Sequence, residues 1–339
     1  MNTIMKREER IWFWDTIKFG MILLVVVGHF VEQMISLGRQ DLAPFKLFIY
    51  SFHMPMFMFI FGLFFKEKDF LRKIIFYLTT GFLLKGLLYF SGLIIKGKAN
   101  FTLFYDSGAP WFMFVLAWYT LIAWLFRKVD KRIVLAISFV IPLFTGYFRA
   151  INDFLCFSRM FVFLPFFWLG TMIKPNELLV LIKKYKKYLL MPSVCLILVW
   201  LAICVLKYQN VSVLMHLFSG RNPFLAKTNG MGFLYRLLTY AISFVIGAAI
   251  LIVVPHGKIP AVSYMGRNTV NVYFWHCFFM SLILHLMNTN ELIRTKWGIL
   301  LILLIAVALT FILSLDVFNF PLKNINIFIM NFKKKDGRS

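Results

Sequence analysis

Apolar runs of roughly 17 to 25 residues, the length that crosses the hydrocarbon core of a bilayer, follow one another along almost the whole chain with short charged connections between them. The pattern predicts about ten spanning helices, near 15–35, 45–65, 74–95, 111–126, 133–148, 160–173, 189–206, 237–254, 269–287 and 298–315. Pro142 and Pro165 fall inside the fifth and sixth spans and predict kinks or tilts there. The expected fold class is therefore all-α, a polytopic transmembrane bundle. It divides into an N-terminal segment 1–14, a membrane domain 15–315 and a basic tail 316–339 that suits a helix on the inner membrane surface. No repeat of fixed period and no heptad run is visible.

Composition agrees. Of 339 residues 61% are hydrophobic and 15% charged, which leaves too little polar surface for a water-soluble globule of this size. The charged start precedes a long apolar run without a small-residue cleavage site, so the first helix is expected to stay. Cys156, Cys195, Cys204 and Cys277 show no paired spacing and lie mostly in or beside apolar runs. They read as small packing residues, with no metal expected.

The net charge of +23, from 37 basic and 14 acidic residues, gains meaning from its placement. With the N-terminus cytoplasmic, the connections alternate so that Lys66, Lys68, Arg72, Lys73, Arg127, Lys128, Lys183, Lys184, Lys186, Lys187 and the basic tail all face inward. The positive-inside rule then sets both termini in the cytoplasm. The basic excess becomes a feature of the inner leaflet, attracted to anionic headgroups, and nucleic acid is not expected as a partner. The longest outer connection, 207–236, carries Asn210, Gly220, Asn222, Pro223, Gly230 and Gly232, and reads as an acceptor-facing loop.

A charged side chain inside a span costs about 2.5 to 3.5 kcal/mol, so each one calls for a partner or a task. The first span holds Asp15, Lys18 and His29. Lys18 and His29 are separated by about three full turns plus roughly 20°, which puts them on one stripe. Asp15 can pair with Lys18 at the inner edge. His29 lies about 16 Å further along, a spacing that suits a coenzyme A thioester whose head meets Lys18 and whose acyl carbon reaches the imidazole. The plainer reading is a snorkelling lysine and a hydrogen-bonded packing histidine.

The second span offers Ser51-Phe52-His53-Met54-Pro55, with His53 at a depth close to that of His29 and Pro55 freeing a backbone carbonyl beside a cavity. The two histidines can meet. The ninth span begins Met265-Gly266-Arg267-Asn268-Thr269-Val270-Asn271, where Asn268 can cap the helix or bind a polar ligand, and His276 follows two turns in, on the donor side. At the outer rim, Trp111 and Arg159 suit a sugar, although an aromatic-belt position explains the tryptophan alone.

These motifs together resemble the membrane-bound acyltransferase 3 family, in particular its branch similar to fucose 4-O-acetylases. The resemblance runs from about Arg10 to Leu315 and is carried by Lys18 and His29 in WDTIKFGMILLVVVGHF, then by SFHMPMFMFIFG, PWFMFVLAWY, SRMFVFLPFFWLG and MGRNTVNVYFWH in order. Phe61 stands where many members have serine, and no proline follows Arg72. The resemblance implies transfer of an acyl group, usually acetyl, from cytoplasmic acetyl-CoA to a hydroxyl of a surface glycan or its lipid-linked precursor, in the plasma or inner membrane. His29 is then the essential histidine, Lys18 its basic partner, and Arg72 with Lys73 the donor-side basic cluster. Oriented by His53, His29 acts as general base, or else is itself transiently acylated. The rival from another class is a transporter or flippase of a lipid-linked sugar that makes no bond.

Overall fold

The computed structural model describes residues 2–336 apart from 107 and 258. The side chains of Lys6, Arg7, Arg10, Lys258, Lys333, Lys334, Lys335 and Arg338, which carry part of the expected inner charge, lie outside the described residues. Among the described residues the fold is all-α, with one isolated antiparallel bridge between Tyr105 and Phe154.

Among the described residues seven segments are long and apolar enough to cross a membrane: Trp12–Ser36, Gln40–Leu63, Phe70–Ile95, Pro175–Leu206, Asn229–Val253, Thr269–Leu286 and Lys296–Leu313. Two shorter apolar helices, Trp111–Leu125 and Phe157–Met172, join them. In chain order the first helices are α1 (Asn2–Ser36), α2 (Ala43–Tyr50), α3 (His53–Leu63), α4 (Phe70–Lys96) and α5 (Trp111–Leu125). They are followed by α6 (Lys131–Thr145), α7 (Phe157–Met172) and α8 (Pro175–Leu206).

The expected fifth span is the one that falls short. Helix α6 has only 15 residues and opens on Lys131 and Arg132. Asp130 caps it by accepting from the Arg132 amide, so its first turn is charged and less of it is apolar than in α5, which is equally long.

The second span is two helices with a break at Ser51. Pro55 has no N–H to give to the carbonyl four residues back, which is that of Ser51. The freed oxygen accepts from the Ser243 hydroxyl, while Trp200 Nε1 donates to Ser51 Oγ at 2.9 Å. Each such bond contributes about 1 kcal/mol net, enough to hold the break in place. The seventh span begins earlier than its apolar run. Helix α8 is continuous for 32 residues, about 48 Å, so its Pro175 end with Lys183 to Lys187 extends past a hydrocarbon core.

The 207–236 connection is folded rather than open. Short helices α9 (Tyr208–Val211) and α10 (Leu214–Phe218) precede α11 (Gly232–Val253). Leu214, Leu217 and Phe218 of α10 are buried. Arg236 is fully buried inside α11, where its guanidinium donates to Leu217 O and Asn222 Oδ1 at 2.8 and 2.9 Å. The buried charge is offset by the oxygens that meet its two Nη groups, while Nε has no hydrogen-bond partner among the described residues.

Helices α12 (Pro260–Met265), α13 (Thr269–Leu286), α14 (Thr289–Leu292), α15 (Lys296–Leu313) and α16 (Leu322–Asp336) complete the chain. Two glycine contacts set distances near the site. Gly62 of α3 and Gly170 of α7 face each other's backbone so closely that a Cβ on either would overlap it, the close approach that small residues permit between membrane helices. Gly266, after α12, lies against the backbone of Asp15 in the same way.

Candidate active site

One continuous cavity of about 980 Å³ inside the bundle is lined by residues from Lys18 to Arg159. At one end Lys18, Lys66, Lys73 and Arg267 line it. Lys18 Nζ is 2.6 Å from Asp15 Oδ1, and Arg267 Nε lies 3.9 Å from Asp15 Oδ2. Asp15 is buried behind the two cations and away from the cavity lining, so it positions them and is about 21 Å of helix from His29. Lys73 also bonds the Lys66 carbonyl and sits over the Phe65 ring at 5.0 Å.

Two residues expected at this end are elsewhere. Arg72 turns from the cavity and donates to Asn326 Oδ1 of α16 at 2.8 Å. The Asn268 amide is occupied by Ser314 O and Asp316 Oδ1 at 2.8 and 2.9 Å, clasping the start of α13 to the end of α15. Both are spent on packing, and Arg267 and Thr269 line the cavity in their place.

The wall between the ends is apolar, with Ile22, Val25, Phe57, Ile60 and Phe61 along it. His29 is reached next. Its Nδ1 faces Glu32 Oε2 at 3.5 Å, and the same carboxylate takes Lys46 Nζ at 2.7 Å and the Tyr50 hydroxyl at 3.1 Å. Glu32 therefore orients His29, the task expected of His53. His53 lines the cavity too, but its Nδ1 faces the Ile49 carbonyl at 2.8 Å and its ring packs on Tyr50 with centroids 4.8 Å apart. An acidic residue three positions after a membrane histidine is itself a sequence signal, since it falls on the same face of the helix.

His276 was expected on the donor side and is instead beside His29, ring centroid to ring centroid 5.2 Å. Eight residues into α13, it is fully buried and is not part of the cavity lining. Its Nδ1 faces the carbonyls of Val272 and Tyr273 at 3.0 and 2.8 Å, and its Nε2 lies 3.2 Å from the sulfur of Cys277. Cys277, a member of the buried core, also lines the cavity. One ligand atom each from His29, His276 and Cys277 lie within 4.8 Å of one another.

At the far end, buried Arg159 donates from Nη1 to Asp106 O and Asp153 Oδ1 at 3.0 and 3.1 Å, and its guanidinium lies 4.9 Å from the centre of the Trp111 ring. Trp111 stacks on Phe163. Both expected rim residues thus share one wall. Arg221 and His216 line the same end, and Arg221 Nε lies 3.9 Å from Asp153 Oδ2, the carboxylate that Arg159 also meets. Burial holds the His216 imidazole below its ordinary range, with Arg236 and Arg221 adding to the effect and the Pro223 carbonyl opposing it.

Cations, imidazoles and an aromatic rim thus line one internal passage of a helical membrane protein. Residues 11–318 match the acyltransferase domain of the acyltransferase 3 family, and the chain belongs to that family. No curated protein and no solved structure was found to match. Acyl transfer is the family's activity, which removes the ground for a transporter that makes no bond.

Proposed function

We propose that this protein is a membrane O-acyltransferase that moves an acetyl group from cytoplasmic acetyl-CoA to a hydroxyl of a surface polysaccharide or its lipid-linked precursor, as in the fucose 4-O-acetylase branch its sequence resembles. Its membrane is the plasma or inner membrane, with both termini in the cytoplasm. The observation that carries this reading is the single cavity that joins Lys18, Lys73 and Arg267 to His29 and continues to Trp111 and Arg159.

The cationic end suits the phosphates of coenzyme A, and Lys and Arg are the side chains that hold them. The apolar wall suits the pantetheine arm, and about 16 Å of helix from Lys18 to His29 matches its reach. With Glu32 opposite Nδ1, the imidazole hydrogen belongs on that nitrogen and Nε2 keeps its lone pair. His29 Nε2 then takes the proton of the acceptor hydroxyl as its oxygen attacks the thioester carbon. The carbon–sulfur bond breaks, and the departing thiolate recovers the proton from the imidazolium. Trp111 and Arg159 offer a stacking face and a guanidinium to a sugar.

The test is His29→Ala in the intact cell and in purified protein supplied with labelled acetyl-CoA. O-acetylation of the polysaccharide should disappear while the protein inserts at its normal level. Acetylation that continues undiminished would refute the assignment.

A further inference from the structure

We propose that Cys277 carries the acyl group between donor and acceptor, so that the transfer proceeds in two steps through a cysteine thioester. This rests on the reading of acetyl-CoA as donor. The observation is the placement of a thiol inside the cavity with a base behind it. Cys277 lines the passage, and its Sγ is 3.2 Å from His276 Nε2. The two carbonyls at His276 Nδ1 fix the hydrogen on that nitrogen, since a carbonyl only accepts. Nε2 therefore faces the sulfur with its lone pair. A nucleophile, an adjacent base and a third group that orients the base form the arrangement that activates a thiol for covalent catalysis. His29, the base proposed for the acceptor, is close to both, its ring 5.2 Å from that of His276 and a ring nitrogen within 4.8 Å of the Cys277 sulfur.

The chemistry balances without any further reactant. His276 Nε2 takes the Cys277 proton as Sγ attacks the thioester carbonyl. The bond from the acyl carbon to the coenzyme A sulfur breaks, and that sulfur leaves with the proton as free thiol. One thioester replaces another, so the step is close to thermoneutral. The acceptor hydroxyl then loses its proton to His29 and attacks the Cys277 thioester. The bond from the acyl carbon to Cys277 Sγ breaks, and the departing sulfur takes the proton from the His29 imidazolium within 4.8 Å, which restores the cysteine thiol and the neutral imidazole. The benefit is spatial: the donor enters past Lys18 and the acceptor past Arg159, and with the acyl group parked on Cys277 they need not occupy the site together.

The experiment uses full-length purified protein in lipid vesicles with radiolabelled acetyl-CoA and no acceptor. Label should appear on the protein at up to one per chain, be released by neutral hydroxylamine, and map by peptide mass spectrometry to Cys277. Cys277→Ala should lose both label and transfer, whereas Cys195→Ala, which alters an exposed thiol on α8, should keep both. His29→Ala should still take label at Cys277 but fail to pass it on, which separates this proposal from the one it rests on. In the wild-type protein, prior exposure to acetyl-CoA should block alkylation of Cys277, a readout that needs no variant to fold. Full transfer by Cys277→Ala, label found on His29 instead, or a stoichiometric metal ion held by His29, His276 and Cys277 would each overturn the relay.

Discussion

His29 and Glu32 face each other across one turn of α1, Nδ1 to Oε2 at 3.5 Å, and Lys46 and Tyr50 from α2 grip the same carboxylate from the other side. The helix break at Ser51 makes this possible, because it lets α2 end beside α1 while α3 continues along the cavity. The carboxylate fixes which nitrogen of His29 holds the hydrogen. Glu32→Gln keeps the shape but allows the amide to donate, so the catalytic lone pair can be turned inward. Acyl transfer should fall by about 100-fold or more, with the KM for acetyl-CoA nearly unchanged, as measured by initial rates in vesicles. An equal change in donor KM would place Glu32 in binding instead.

The donor end makes a sharper distinction between neighbours. Lys18 and Arg267 line the cavity, whereas Arg72 is bonded to Asn326 outside it. Lys18→Ala with Arg267→Ala should raise the KM for acetyl-CoA by about 10- to 100-fold, the loss expected when phosphate-binding charges go, and leave kcat nearly constant. Arg72→Ala should leave that KM alone and loosen α16, read as faster proteolysis of the tail.

The sequence made legible whatever a single helix determines. Lys18 and His29 share a stripe because helical periodicity puts them there, and Glu32 was equally available as the next polar residue on that turn. The apolar runs marked nine of the helices because hydrocarbon length is a property of composition. Contacts between helices were a different matter. His276 and Cys277 reach His29 only because α13 packs beside α1, and no spacing along the chain encodes which helices become neighbours. Arg236 looked like a loop cation, and only the fold of residues 207–231 around it explains its burial.

Close backbone contact between α3 and α7 underlies the shape of the cavity wall. Gly170→Ala puts a Cβ into the backbone of α3, and the helices must separate, at about 1 to 3 kcal/mol. The unfolding midpoint in detergent should drop clearly. Gly86→Ala, at a helical position with open space around it, should instead gain up to about 1 kcal/mol from helix propensity. Similar midpoints for the two variants would mean that the α3–α7 contact is looser than described.

Arg159 tests the acceptor end. Its guanidinium satisfies Asp106 O, Asp153 and Ser219 O while presenting its face to Trp111. A lysine keeps the charge but has neither the planar fork nor the stacking face. Arg159→Lys should therefore raise the KM for the acceptor by about 10-fold or more, the cost of losing one or two charge-assisted bonds, while donor KM stays constant. Trp111→Phe, which keeps an apolar ring beside Phe163 but shrinks the face offered to a sugar, should shift acceptor KM in the same direction and by less. The discriminating measurement is labelling at Cys277 by acetyl-CoA alone: it should proceed normally in both variants, because that step takes place before the acceptor is engaged. Loss of labelling together with loss of transfer would show that Arg159 holds the whole passage in shape.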